Sequence, residues 1–495
     1  MATVLRNLVA AGAGLLLAAC ATTTPLPTPP SLDTVEANLA RDIETLASDE
    51  FGGRFPGTLG EAKTAGFLVR KFTEIGLQPG MGAGAPGGGW AQGFTLVRRT
   101  PKTDPAAAEA TITRGQRSIT LDDGLLGVHS GRDSVNLADV PIVGVDPELE
   151  DLKAGSLVNR ALALPASDLQ RRAPQMAAAH PKAVIVTTTD DAQYEMASGL
   201  LSRGRWRLEN DGEGSALMLL TPEDSARLTK LIGRNAEREP DGLGVIAYDT
   251  ILRGSIEQEV ERIETANILG RLPGAVEGAG AVLVLAHWDH LGDECAPPDA
   301  PDRLCNGAVD NASGIAVMTE AVRLAMREGP LDRDLIVLAT SSEELGLLGA
   351  EAFVADPPVP LPTIVAAFNI DTIAVAPRGM PLSVIGWGRT PLDAGIETVV
   401  AQQGRSLALA DWHQQFLRRQ DGWALLSRDV PTVLVSSAAA DEAAFGAFMN
   451  GNYHSPDDEF SADLELGGAA EDAVLHAALI RYFGSLATYP GGAAD

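Results

Sequence analysis

Cysteine is scarce in this chain, three residues in 495, so at most one intramolecular disulfide can brace the fold. Basic residues are scarce relative to acidic ones, with 38 Lys and Arg against 66 Asp and Glu and a net charge of −28. That balance excludes nucleic acid or an anionic membrane surface as the expected main partner. It is compatible with cationic substrates, and equally with a solvated acidic surface. Long apolar runs are missing as well. The run from Leu8 to Ala19 is too short to span a bilayer well. What is present is a globular make-up, 45% hydrophobic and 21% charged. The length is too great for one ordinary core, which points to two domains.

The N-terminus differs in kind from the rest. Arg6 precedes the short apolar run, the make-up of a secretory signal. The run closes with "LAAC", Leu17 to Cys20, which resembles the lipobox of bacterial lipoproteins. The resemblance implies cleavage after residue 19 and lipidation of Cys20. An ordinary cleaved signal with an incidental cysteine is the alternative. Residues 20–32, containing "TTTPLPTPP", read as a stiff tether. The expected location is therefore outside the cytoplasm, with the lipid anchor at Cys20 holding the chain to the inner membrane on its periplasmic face or to the outer membrane. Cys295 and Cys305 remain, and in an oxidising compartment the pair is expected to form a disulfide, contributing about 3 kcal/mol at best. Two free thiols, or thiols on a metal, are the other readings.

Residues 33–104 begin a first domain. "TLGEAKTAGFLVRKFTEIGL" has helical apolar spacing, with Thr58 and Glu61 as a capping box and Gly76 as a stop. A glycine-rich loop, "GMGAGAPGGG", follows. Residues 105–255 change character. Short β-like runs such as "ATIT", "VPIVGV", "ALALPA" and "KAVIVTTT" predict an inserted, mostly β domain with one or two helices and no catalytic cluster. Residues 256–490 alternate strand and helix. "AVLVLA", "DLIVLAT", "TIVAAFNI" and "PTVLVSS" are continuous apolar strands separated by amphipathic helices. The fold class is thus α/β, a largely parallel mixed sheet with helices on both faces. Its site is expected beyond the carboxyl ends of the strands.

The ionisable clusters lie just past those strands. His287, Asp289 and His290 end the first, Glu343 and Glu344 come after the second, and Asp371 after the third. Asp310 lies in "NGAVDNASG", ahead of a helix, and His454 in "YHSPDD", ahead of the last helix. A lone strand-end histidine or a single Glu-Glu pair is an ordinary structural or solvated feature. Several carboxylates at one rim, however, repel unless cations neutralise them. Imidazole mixed with carboxylate suits zinc, and the excess of carboxylates suits two metals.

"AHWDHLG", "NGAVDNASG", "SSEELGLLGA", "FNID" and "YHSPDD" resemble, in order, the metal-site segments of the two-zinc aminopeptidase family, which includes aminopeptidase Y and the glutamate carboxypeptidases. The β-like runs of 105–255 look like the protease-associated domain that many members insert. The resemblance implies two zinc ions per chain. His287 and Asp371 would bind the first, Glu344 and His454 the second, and Asp310 would bridge them. Glu343 would be the general base. Asp289 would hydrogen-bond the distal nitrogen of His287, and Tyr453 occupies a position where some relatives place a hydroxyl near the oxyanion. No ligand position is left for His290, which is expected to be structural or to lie behind a ligand. His129, His180, His413 and His476 lie outside the motifs. Many relatives have Arg-Ser-Asp before the last strand, whereas this chain has Arg419, Gln420 and Asp421, so substrate contacts are not carried onto that loop.

The expected function is zinc-dependent removal of N-terminal residues from peptides with a free amino terminus. The rivals are a carboxypeptidase or dipeptidase on the same scaffold, a binding protein without turnover, and a glutaminyl cyclase-like enzyme. The full ligand set counts against the binding protein, and Asp310 against the one-zinc cyclase.

Overall fold

In the computed structural model, which describes residues 30–491 except 83, 103, 105–106, 122–123, 147–150, 210–213, 234–236, 239–242 and 298, the apolar runs become strands of a twisted sheet. Four lie parallel, in the spatial order Asp334–Thr340, Ala281–His287, Ile364–Asn369 and Thr432–Ser436. Every residue of Ala281–His287 is buried. Successive side chains leave a strand on opposite faces. Val282, Val284 and Ala286 accordingly pack with the helices Leu32–Leu46, Leu59–Ile75, Ser313–Ala325 and Gly467–Gly484. Leu283 and Leu285 join a second core with Ala350, Phe353 and Val354 of the helix Leu348–Ala355. Burial on both faces is why these strands are apolar throughout and not alternating.

Antiparallel strands flank the parallel four. Val245–Leu272 pairs with Asp334–Thr340 on one side and carries Ala91–Pro101 outside it. Ser383–Ile385 closes the other margin against Thr432–Ser436. The chain leaves Ala281–His287, adds Asp334–Thr340 on one side, then crosses to place Ile364–Asn369 on the other. This reversal opens a crevice at the carboxyl ends of the central strands, where open sheets bind ligands.

The expected runs of the insert are strands Ala108–Arg114, Ser134–Val145, Ala161–Pro165 and Ala183–Thr187 of a second sheet. It carries three helices, Ala166–Ala179, Asp191–Arg203 and Pro222–Ile232, where one or two were expected. The expected division between residues 255 and 256 falls inside one continuous strand. Val245–Leu272 pairs with Ser134–Val145 and Ala108–Arg114 over its first part, then with Ala91–Pro101. The charged stretch from Glu257 to Arg262 hides that continuity from an apolar pattern.

Near the N-terminus, Leu59–Ile75 starts at Thr58 and stops at Gly76 in the left-handed region, as its sequence predicts. The reciprocal capping partner is shifted by one residue. Thr58 Oγ1 accepts from the Gly60 amide, but the Glu61 carboxylate accepts from the Gly57 amide, not that of Thr58. Cys20 and the proposed signal lie outside the described residues. Among the described residues no helix is long and apolar enough to cross a membrane. Cys295 and Cys305 form a disulfide, and the Cys305 amide also bonds the Gly292 carbonyl.

Candidate metal centre

The crevice collects the strand-end residues. His287 terminates its strand, Glu343 and Glu344 lie just past Asp334–Thr340, and Asp371 just past Ile364–Asn369. Asp310 comes from the turn ahead of the helix Ser313–Ala325, and His454 from the loop after the helix Glu442–Asn450. Asp310 stands in the middle. Its Oδ1 lies 3.2 Å from His287 Nε2 and its Oδ2 lies 3.3 Å from His454 Nε2. His287 Nε2 is 3.5 Å from Asp371 Oδ1, and His454 Nε2 is 2.9 Å from Glu344 Oε2. All five expected ligands therefore converge, in two groups that share Asp310.

The electrostatics are those of a site that needs positive charge. Burial would lower the pKa of His287, but the charge of Glu343 and contacts with Asp289, Asp310 and Asp371 outweigh it and hold the ring well above its usual value. Burial also opposes protonation of His454, yet contacts with Asp310 and Glu344 raise it to about 10. Burial would raise Asp310 and Glu344, but their imidazole neighbours hold Asp310 well below the ordinary carboxylate value and Glu344 below its own. Carboxylates that favour cationic imidazoles would equally favour a divalent cation held by neutral histidines. Two buried ring nitrogens, His290 Nε2 and His454 Nε2, have no aligned hydrogen-bond partner among the described residues. Nitrogen and carboxylate donors in this mixture fit zinc.

Glu343 stands apart. Burial, reinforced by Asp371, Glu344 and Asp421, raises its pKa well above the usual glutamate value, and the charge of His287 only partly offsets this. Glu343 lines the open pocket together with His287, Asp310, Asp371 and Thr372. The same pocket has an apolar wall made of Ile385, Phe416, Leu434, Phe445 and Met449, and Arg419 also lines it. Tyr453 also lines the pocket, its ring stacked on that of His454 at 3.7 Å between centroids.

Two expectations change. The Asp289 carboxylate does more than face His287. His287 Nδ1 lies 3.1 Å from the Asp289 backbone carbonyl and 3.7 Å from its carboxylate. The carboxylate accepts the backbone amides of Glu343 and Glu344, at 3.1 and 3.4 Å. His290, expected to be structural or to lie behind a ligand, stands against Glu344 and is also within reach of a metal. It is fully buried, its Nδ1 lies 2.6 Å from Glu344 Oε1, and it forms a potential donor group with Asp310 and Glu344. The second cluster therefore holds two imidazoles where one was expected.

The roles of two further residues escaped the sequence. Asp458, in "YHSPDD", accepts the amides of Val309 and Asp310 at 2.9 and 3.0 Å and so anchors the bridging turn. Burial raises its pKa to about 6. Asp421 is buried beneath the site, where it accepts the Thr340 hydroxyl. Burial raises it to about 7. Its neighbour Gln420 braces the sheet by accepting from the Asn369 side chain and the Gly422 amide. Of the remaining histidines, His413 and His476 are buried and bond the Ala439 and Val435 carbonyls away from the cluster. His129 accepts the amides of Gly131 and Arg132 within the insert, and His180 caps a helix.

Residues 267–478 match the model of Peptidase family M28. A vacuolar membrane protease of Yarrowia lipolytica is 37% identical over 98 residues, 19% of this chain and 9% of that protein. Aminopeptidase YwaD of Bacillus subtilis is 36% identical over 89 residues, 18% of this chain and 17% of that protein. The matched stretches thus span less than a fifth of either relative's length. Among solved structures, an aminopeptidase from Aneurinibacillus sp. strain AM-1 superposes with a TM-score of 0.48 at 17% identity, covering 90% of this chain and 93% of that one.

Proposed function

From the premise that this chain carries a peptidase family M28 domain, we propose that it is a zinc-dependent exopeptidase that hydrolyses the first peptide bond of peptides with a free amino terminus. The observation that carries the reading is the placement of Asp310, whose two oxygens face His287 on one side and His454 on the other. His287 and Asp371 would hold one zinc, Glu344 and His454 the other, with Asp310 between them and His290 within reach of the second. Bound zinc would polarise the scissile carbonyl and lower the pKa of the attacking water.

The chain's own groups do the rest. Glu343 takes the proton of that water on its carboxylate and returns it to the nitrogen of the departing amine. Burial strengthens its hold on the proton during the interval. Tyr453, held against the His454 ring, directs its hydroxyl toward the oxygen on which charge develops. Glu343 and Asp371 accept hydrogen bonds from the free amino group, and the apolar wall receives the first side chain. The name of the Bacillus subtilis relative, an aminopeptidase, supports this direction of attack.

One observation favours a second reading. Arg419 lines the pocket, lies 5.4 Å from the Phe416 ring centroid and forms no ion pair among the described residues. A fixed guanidinium is what a carboxypeptidase needs to hold a terminal carboxylate. Zinc analysis of the mature protein, combined with a panel of free and end-blocked peptides, tests both readings. Export and anchoring through Cys20 belong to the same proposal and rest on the "LAAC" segment.

A further inference from the structure

Arg54 is fully buried, and its guanidinium donates to four backbone carbonyls. Nε donates to Trp288 at 2.8 Å, between His287 and Asp289. Nη2 donates to Gly307 at 2.9 Å and Nη1 to Asn306 at 2.5 Å, in the turn that presents Asp310. Nη1 also reaches the carbonyl of Leu46 at 2.8 Å, at the end of the helix Leu32–Leu46. That helix terminus leaves carbonyls unpaired and carries partial negative charge, so it favours a cation there. One side chain thus ties three separate pieces of backbone, two of which carry candidate metal ligands.

The backbone around Arg54 is unusual in a way that fits this task. Gly52, Gly53 and Arg54 all lie in the left-handed region, with φ of 55°, 61° and 57°. An L-residue other than glycine is disfavoured there and persists where its surroundings impose it. Gly53 packs so closely on the Cys305 carbonyl and the Gly292 backbone that no side chain fits. The tight turn therefore seats itself against the disulfide loop and aims Arg54 inward.

We propose that Arg54 is a positioning residue that fixes the His287 and Asp310 segments relative to each other, so that the metal centre is assembled before metal arrives. The inference rests on the metallopeptidase reading for its consequence but not for its geometry. A planar fork spans four carbonyls, whereas the single ammonium of lysine cannot hold the same set. Arg333 offers a control. It is likewise buried and donates to the carbonyls of Ala279, Phe483, Ser485 and Gly491, so it meets the strand Ala281–His287 only at the end away from His287.

The test compares Arg54→Lys, Arg54→Gln and Arg333→Lys in the full chain. Zinc affinity is read by competition with a chromophoric chelator, and melting temperature is read with and without zinc. Arg54→Lys is expected to lose roughly 10- to 100-fold in zinc affinity, the usual effect of disturbing groups behind a metal ligand. Arg333→Lys is expected to melt earlier with zinc affinity unchanged. Arg54 variants that melt earlier but bind zinc like the wild type would overturn the proposal. Amide exchange on the zinc-stripped wild type gives an answer even if neither Arg54 variant folds. The amides of Trp288, Val309 and Asp310 are expected to stay protected without metal. If they exchange freely until zinc is restored, the metal and not Arg54 organises the site. A wild type that binds no zinc would refute the peptidase reading, while the exchange result would still judge whether the segments are in place before metal. Because the Thr340 carbonyl and the Asp458 carboxylate hold these amides, only their loss of protection in a folded Arg54 variant assigns that order to Arg54.

Discussion

Glu343 and Glu344 are chain neighbours whose backbone amides share one anchor, the Asp289 carboxylate, while their side chains enter different surroundings. Glu344 is held between His290 on one oxygen and His454 on the other. Glu343 forms no ion pair among the described residues and lines the open pocket. A shared anchor fixes the backbone of both, so a change at one side chain need not displace the other.

That arrangement separates base from ligand experimentally. Glu343→Gln is expected to lower kcat by roughly 10²- to 10⁴-fold, the range for a positioned proton acceptor, with zinc content unchanged. Glu344→Gln is expected to lower zinc content as well as activity. Equal loss of metal in the two variants, measured by elemental analysis, would refute the division.

Mature protein is expected to hold two zinc ions per chain. Stripping them removes a ligand that binds only the folded chain, so the melting temperature should fall and recover on reconstitution. At free zinc 100 times the dissociation constant, each site contributes about 2.7 kcal/mol through preferential binding to the folded state. Calorimetry with and without a chelator measures the difference.

The proposed direction of attack can be tested on blocked peptides. N-acetylation of a tripeptide should cut kcat/KM far more than C-terminal amidation, because the carboxylates Glu343 and Asp371 face the pocket and suit an amino group. If amidation proves the crippling change, Arg419 holds a terminal carboxylate and the enzyme is a carboxypeptidase. Arg419→Gln should then reproduce the effect.

Acid stability has a named contributor away from the metals. His476 is fully buried, and burial lowers its pKa below 6.5 although Asp472 and the Val435 carbonyl partly oppose this. As pH falls through 6.5 the unfolded chain takes up a proton that the folded chain refuses, so stability declines below that value. His476→Gln can still donate to the Val435 carbonyl without titrating. Its melting temperature, followed on zinc-stripped protein, should depend less steeply on pH below 6.5 than that of the wild type.

Much of the site is legible in the sequence because its chemistry is written at strand ends. An unbroken apolar run such as Ala281–Ala286 reads as a doubly covered strand, and the residues immediately after it then fall at the rim. The parallel order brings His287, Glu343 and Asp371 together. The residues that stay hidden act through contacts a linear pattern does not encode. Nothing in "AHWDHLG" tells which imidazole turns inward, and His290 is left over once five ligands have been assigned. Asp458 works on backbone amides, and Asp421 is distinctive only once burial is known. Arg54 sits in "FGGRFPG", where adjacent glycines ahead of an arginine offer the one local hint.

The long strand Val245–Leu272 bears on how the chain is assembled as a modular object. Its residues from Gln258 to Ile268 run antiparallel to Ala91–Pro101, with Pro101 directly opposite Gln258. The inserted region therefore departs and returns at adjacent points on a two-stranded ribbon, the geometry of a hairpin whose turn has been replaced by a folded unit. Strands that already lie side by side can be joined by a two-residue turn. The insert is nevertheless tied to the peptidase at more than its two ends. Its strand Trp206–Leu208 pairs with Leu96–Arg98 of that ribbon, and Trp206 shares a core with Leu348, so removing the insert also strips a strand and a buried indole from the peptidase sheet.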